Sequence, residues 1–149
     1  MYKAVRRPES KIKPKTLFYQ NEEDQRELFF GQIKQLKDRG FKNDDITVLS
    51  PQGHNSLAAQ LVKEKVIGWS DRLEHARNYS PGHIRYASAR EFKGLESLAV
   101  VVTDIGSVDG IEMKSLIYVA TTRSLNSLTL LAEKKVESEI VSRALQKSF

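Results

Sequence analysis

The sequence predicts an α/β domain built on a mainly parallel β-sheet. Three observations predict it. Strand-like and helix-like patterns alternate along the chain. One segment, Leu98-Ala99-Val100-Val101-Val102, is apolar without interruption. Neither an internal repeat nor a low-complexity tract breaks the order. Such alternation marks successive β-α-β units. An unbroken apolar run belongs to a strand covered on both faces.

Thr16 to Gln20 reads as the first strand. Asn21 is placed to cap the helix that follows, with Glu22, Glu23 and Asp24 near its positive end. Leu28, Phe29, Ile33 and Leu36 recur at near-helical spacing and form its buried stripe. Gly40 ends it in a left-handed conformation. Ile46 to Leu49 is the second strand, and Pro51 and Gly53 form its exit loop. A second helix runs from about Ser56 to Val66 with Leu57, Leu61 and Val62 inward. Residues 68–82 are polar, end in Pro81-Gly82, and read as a loop or short helix. His83 to Ala87 is a third strand and residues 98–102 a fourth. Asp109 caps a helix from about Gly110 to Ser124, and Ser127 to Ala132 is the last strand. From Glu133 a final helix places Val136, Ile140, Ala144 and Leu145 on one side.

A chain of 149 residues fits one domain, and its 40% apolar content supplies a core. The absence of cysteine excludes a disulfide framework, thiolate zinc sites and a cysteine nucleophile, and agrees with a reducing compartment. No apolar run approaches the roughly 20 residues that span a bilayer. The opening MYKAVRRPESKIKPK has no hydrophobic segment of a signal peptide. These features point to a soluble, cytoplasmic protein with no membrane partner. Residues 1–15 hold six basic groups and one acid, whereas residues 16–149 hold 18 of each. The net charge of +5 therefore belongs to a basic arm or linker preceding a single domain. Such an arm either touches nucleic-acid phosphates or is simply solvated.

Two segments carry chemistry. In the predicted helix before residue 124, Met113, Leu116, Ile117 and Ala120 form one inward stripe, and Arg123 emerges on the same side. A guanidinium there needs an acceptor, either a carboxylate of this chain or an anion from outside. The second segment, Ser88-Ala89-Arg90-Glu91-Phe92-Lys93-Gly94-Leu95-Glu96, follows a strand, and loops at the carboxyl ends of parallel strands bind ligands. Gly94 allows close backbone approach, Glu96 can accept from a sugar hydroxyl, and Ser88, Arg90 and Lys93 can contact phosphates. His54, His75 and His83 lack metal-ligand spacing. Trp69 packs on the second helix or stacks on a base. Asp44-Asp45 looks like turn chemistry. No Ser-His-Asp order and no metal site emerge.

Taken together, "SAREFKGLESLAVVV" resembles motif V of superfamily 1 helicases of the UvrD/Rep type, and "LIYVATTRSLNSLTLL" resembles their motif VI. "ITVLSP" falls where the family places the strand of its motif IVa. The resemblance covers roughly residues 16–135. It implies a three-layer RecA-like domain, the carboxyl-terminal one of two, with ATP and Mg2+ held between the pair. Arg123 would then be an arginine finger on the γ-phosphate, and Glu96, with Gly94 beside it, the ribose contact. Ser88 and Arg90 would touch single-stranded DNA. The sequence departs from the family in several respects. It contains no G-x-x-x-x-G-K-(S/T) and no Asp-Glu pair after a hydrophobic strand. The insertion common before motif V is reduced to the stretch around 68–82. Ser50 and Pro51 stand where an arginine is usual, and Arg90 where a histidine is common. The expectation is a motor domain that needs an upstream RecA-like partner domain and does not hydrolyse ATP alone. The chain is then an excised half of a longer helicase. Two other readings are a helicase-derived nucleic-acid-binding or regulatory module, and a generic doubly wound domain.

Overall fold

In the computed structural model, residues 13–92, 94–106 and 111–138 are described, without the side chains of His54, Ile111 and Glu112. The elements follow in the order β1 (Lys15–Tyr19), α1 (Glu22–Asp38), β2 (Ile46–Leu49), α2 (Leu57–Lys63), β3 (Leu73–His75), β4 (Ile84–Ala87), β5 (Ser97–Ile105), α3 (Ile111–Arg123) and β6 (Ser124–Glu133). The six strands form one sheet in the order β1-β6-β5-β2-β4-β3, and every pairing is parallel. Parallel neighbours must be joined by crossovers, and these helices cover both faces. Accordingly β2 is buried along its whole length, and β5 is buried from Ala99 to Thr103. The predicted α/β class with a parallel sheet is therefore present in full.

Two apolar clusters lie on opposite faces. One gathers α1 and α2 through Phe29, Ile33, Leu36, Leu57 and Leu61 against Ile46, Val48 and Val101. The other gathers Met113, Leu116 and Ala120 of α3, with Phe92, against Leu49, Val100, Val102 and Leu130. The odd and even residues of β5 thus feed different cores, as the period of two along a strand requires. The chain leaves β2 toward the α1/α2 side and leaves β4 and β5 toward the α3 side. That divergence opens a crevice at the carboxyl ends of these three neighbours, the position where open α/β sheets bind ligands.

Asn21 is the N-cap of α1, its side chain accepting from Asp24 N–H at 2.8 Å, while Asp24 accepts from Gln20 N–H at 3.0 Å. Gly40 follows the helix at φ 103°, a conformation that costs glycine little. Replacing Asn21 with alanine is expected to lower unfolding stability by about 1 kcal/mol in urea titrations, with an unchanged m-value.

Several elements differ from the expectation. The stretch 68–82 contains an edge strand, Leu73–His75, paired to β4 from Leu73↔Ile84 to His75↔Tyr86. Three residues are too few to show a periodicity. Helix α2 stops at Lys63, because Lys65 turns to φ 54° and Val66 N–H returns to Leu61 O at 3.1 Å. Trp69 packs against the core shared by α1 and α2, where it stacks on Phe30 at 4.6 Å and meets Phe29 at 5.6 Å, with Arg72 over its ring. Asp44 performs the expected turn chemistry, accepting from Gly82 N–H at 2.6 Å and from the Tyr79 hydroxyl. The final helix does not begin at Glu133, which instead ends β6 and is followed by a 3-10 turn at Lys134–Val136; its part beyond Ser138, the expected Asp109 cap and the basic residues 1–12 lie outside the described residues. Among the described residues, no helix is long and apolar enough to cross a membrane.

Candidate functional site

The candidate residues fall at two opposite edges of the sheet. Helix α3 runs antiparallel to the strands, so its last residue, Arg123, arrives at their amino ends, directly before β6. Met113, Leu116 and Ala120 are buried and Ile117 is half-buried, which confirms the stripe. Arg123 is half-buried at its end, and its guanidinium makes no hydrogen bond or ion pair among the described residues. Gly94 and Glu96 approach the same edge from the other direction, directly before β5. Ser97 of β5 and Ser124 of β6 are register partners. Glu96 and Arg123 are thus each one residue upstream of a paired position, on strands roughly 4.8 Å apart. Gly94 adopts φ 83°, and nothing lies within 4 Å of where a Cβ would stand. A turn that only glycine adopts freely therefore sets the approach of Glu96.

The placement corrects one expectation. The segment 88–96 begins at a carboxyl edge but does not stay there. Ala87 lies level with Leu49, and Leu49 with Val102, whereas Ser97 is five residues earlier on β5. At about 3.3 Å per residue the segment descends roughly 17 Å along the sheet. Its first half belongs to the carboxyl edge and its last residues to the amino edge. Phe92 anchors the descent, being fully buried in the α3-side core.

At the carboxyl edge, Ser88 and Glu91 cap each other: Ser88 N–H donates to Glu91 Oε1 at 2.9 Å, and Glu91 N–H donates to Ser88 Oγ at 3.2 Å. This reciprocal cap fixes the turn that carries Arg90, which is exposed. Lys93 lies outside the described residues. Glu91 also receives His75 Nε2 at 3.1 Å and Arg77 Nη2 at 3.3 Å. Burial alone would raise its carboxyl, but the Ser88 N–H and the nearby His75 and Arg77 hold it below the ordinary value. Beside this group is a cleft of about 390 Å³ whose lining includes Val48, Ser50, Ser56, His75, Ser88 and Glu91. His75 Nδ1 accepts from Arg77 N–H at 3.1 Å, so neither ring nitrogen of His75 remains for a serine. The histidine and arginine were not legible as partners of Glu91. They stand at the end of the edge strand that the sequence pattern hides and in the turn directly after it.

A third feature is Asp104, at the carboxyl end of β5. It sits at φ 64° beside a register shift between Val102 and Ile105. Its carboxylate accepts from Ser50 Oγ at 2.7 Å, Leu57 N–H at 3.1 Å, Thr103 Oγ1 at 2.6 Å and Gln25 Nε2 at 3.2 Å. Among the described residues no group of three or more histidine or carboxylate side chains could hold a metal ion.

The fold is similar to that of a solved structure described as the C-terminal domain of a possible DNA helicase from Lactobacillus plantarum WCFS1. The match has 18% sequence identity and a TM-score of 0.63, and covers 80% of this chain and 73% of that chain. At that identity the likeness is one of fold, and it agrees with the three-layer, parallel-sheet architecture expected of a RecA-like domain. No protein-family model matches the chain, and no curated protein does.

Proposed function

We propose that this chain is the second motor domain of an ATP-dependent DNA helicase of the UvrD/Rep type. The observation that carries the proposal is the convergence of Glu96 and Arg123 at one sheet edge through the Ser97↔Ser124 register. The fold likeness supports it. A nucleotide held on the phosphate loop of a first RecA-like domain would meet that edge. Arg123 would stabilise negative charge on the γ-phosphoryl oxygens as it transfers. Glu96 would accept from the ribose hydroxyls, and Gly94 would let the backbone come close. Mg2+ and most phosphate contacts would come from the first domain, because this sequence has no phosphate loop.

Single-stranded DNA would pass over the carboxyl edge, with Ser88, Arg90 and Lys93 on its phosphates. The segment 88–96 then links the two edges physically. Strain placed on the Ser88–Glu91 turn by DNA is transmitted past the buried Phe92 to Glu96. DNA-stimulated hydrolysis is the activity such a link would produce. The test is turnover measured with and without an oligothymidylate, for the chain alone and joined to a phosphate-loop RecA-like domain. Hydrolysis is expected only in the joined protein and only with DNA present. Hydrolysis by the chain alone, or a joined protein indifferent to DNA, overturns the proposal.

A further inference from the structure

The carboxyl-edge cleft contains a charge arrangement that the proposed function does not use. Arg77 and His75 both converge on Glu91, whose side chain is 22% exposed, whereas that of Arg77 is 79% exposed. Arg77 also lines the cleft, and the exposed Arg90 is the residue before Glu91 in the chain. Arg77 comes from the turn after β3, not from any segment that suggested a nucleic-acid contact. An exposed arginine held by a single monodentate contact at 3.3 Å keeps most of its donors available. Its planar fork matches a phosphodiester better than this one-sided carboxylate contact.

We propose that this cleft mouth is a further phosphodiester subsite for single-stranded DNA, with Arg77 as its cation and Glu91 as the internal anion that occupies Arg77 until the strand arrives. The inference rests on the proposed DNA path over Ser88 and Arg90 and extends it by one phosphate toward β3. His75 Nδ1 accepts the Arg77 N–H and its Nε2 lies against Glu91. When the phosphate takes Arg77, Glu91 retains His75 and the Ser88 N–H, and the turn bearing Arg90 keeps its shape.

The experiment is anisotropy of a fluorescein-labelled oligothymidylate with the full chain at a series of salt concentrations. Arg77→Gln is expected to weaken binding and to reduce the salt slope by about 0.7, the value for one phosphate of a single strand. Glu91→Gln keeps an oxygen for the Ser88 N–H but removes the competing charge. It is expected to tighten binding roughly threefold to fivefold, a surface ion pair's worth of competition. That gain should vanish in the Arg77→Gln background, which a merely structural Glu91 would not do. Arg90→Gln separates the two levels of the scheme. If it lowers the slope while Arg77→Gln does not, the new subsite is overturned and the DNA path survives. If Arg90→Gln also leaves binding unchanged, the carboxyl-edge path falls with it. Glu91→Gln binding that is weaker or unchanged in a folded protein overturns the latch.

Discussion

On the proposed motor reading, Arg123→Ala in a protein joining this chain to a phosphate-loop RecA-like domain is expected to lower DNA-stimulated ATP turnover by about 10³–10⁵ and to leave DNA affinity nearly unchanged. That loss corresponds to roughly 4–7 kcal/mol of transition-state stabilisation. The size follows from where the side chain stands. Leu116 and Ala120 are buried beneath it, so the end of the helix that presents Arg123 is anchored to the core. A cation held in place before the reaction costs no reorganisation as charge develops. Among the described residues Arg123 makes no ion pair, so its removal should change folding stability by only about 0.5 kcal/mol. Arg123→Lys retains charge but loses the two-pronged fork and is expected to recover only part of the rate. Turnover that persists in Arg123→Ala would mean that the convergence with Glu96 has no catalytic meaning.

What could be read from the sequence followed the strength of its periodic signals. The strand at 98–102, the Asn21 cap, the Gly40 stop and the α3 stripe each rest on several residues acting together and appear as expected, except that Leu98 is exposed and the two-sided burial begins at Ala99. The strand at Leu73–His75 could not be read, because an edge strand of three residues, one of them buried, carries no alternation. The descent of segment 88–96 follows from parallel pairing itself: a chain leaving β4 at the carboxyl edge must enter β5 at the amino edge, so Glu96 could not stay at the edge where Ser88 begins. The buried glutamines of α1 were hidden for a different reason. Gln25 and Gln32 lie on the apolar stripe, 3% and 4% exposed, because specific partners wait for them: Asp104 for Gln25 and Lys15 for Gln32. Pairing of that kind, between residues 79 positions apart in the first case, leaves no local trace.

Asp104→Ala is the second large effect, expected to cost about 3–5 kcal/mol of unfolding stability. The carboxylate is the common acceptor for β2's exit loop through Ser50, for the start of α2 through Leu57 N–H, and for α1 through Gln25. Removing it leaves several half-buried donors without an acceptor, and hydrogen bonds to a charged group are worth about 1.5–3 kcal/mol each but do not add fully. Alanine also inherits φ 64° without the local hydrogen bonding that lets aspartate tolerate it. Two further variants separate these contributions. Asp104→Gly relieves the backbone but not the donors, and should be about 1 kcal/mol more stable than Asp104→Ala. Asp104→Asn tolerates the conformation and keeps one acceptor oxygen, so it should lose the least. The expected order in urea titrations is therefore wild type, Asn, Gly, Ala, and an alanine variant within about 1 kcal/mol of wild type would show that the network is decorative. Because Ser50 and the α2 start border the carboxyl-edge cleft, the same substitution should loosen that wall first, seen as faster amide exchange at residues 50–57 than in the β5–β6 core.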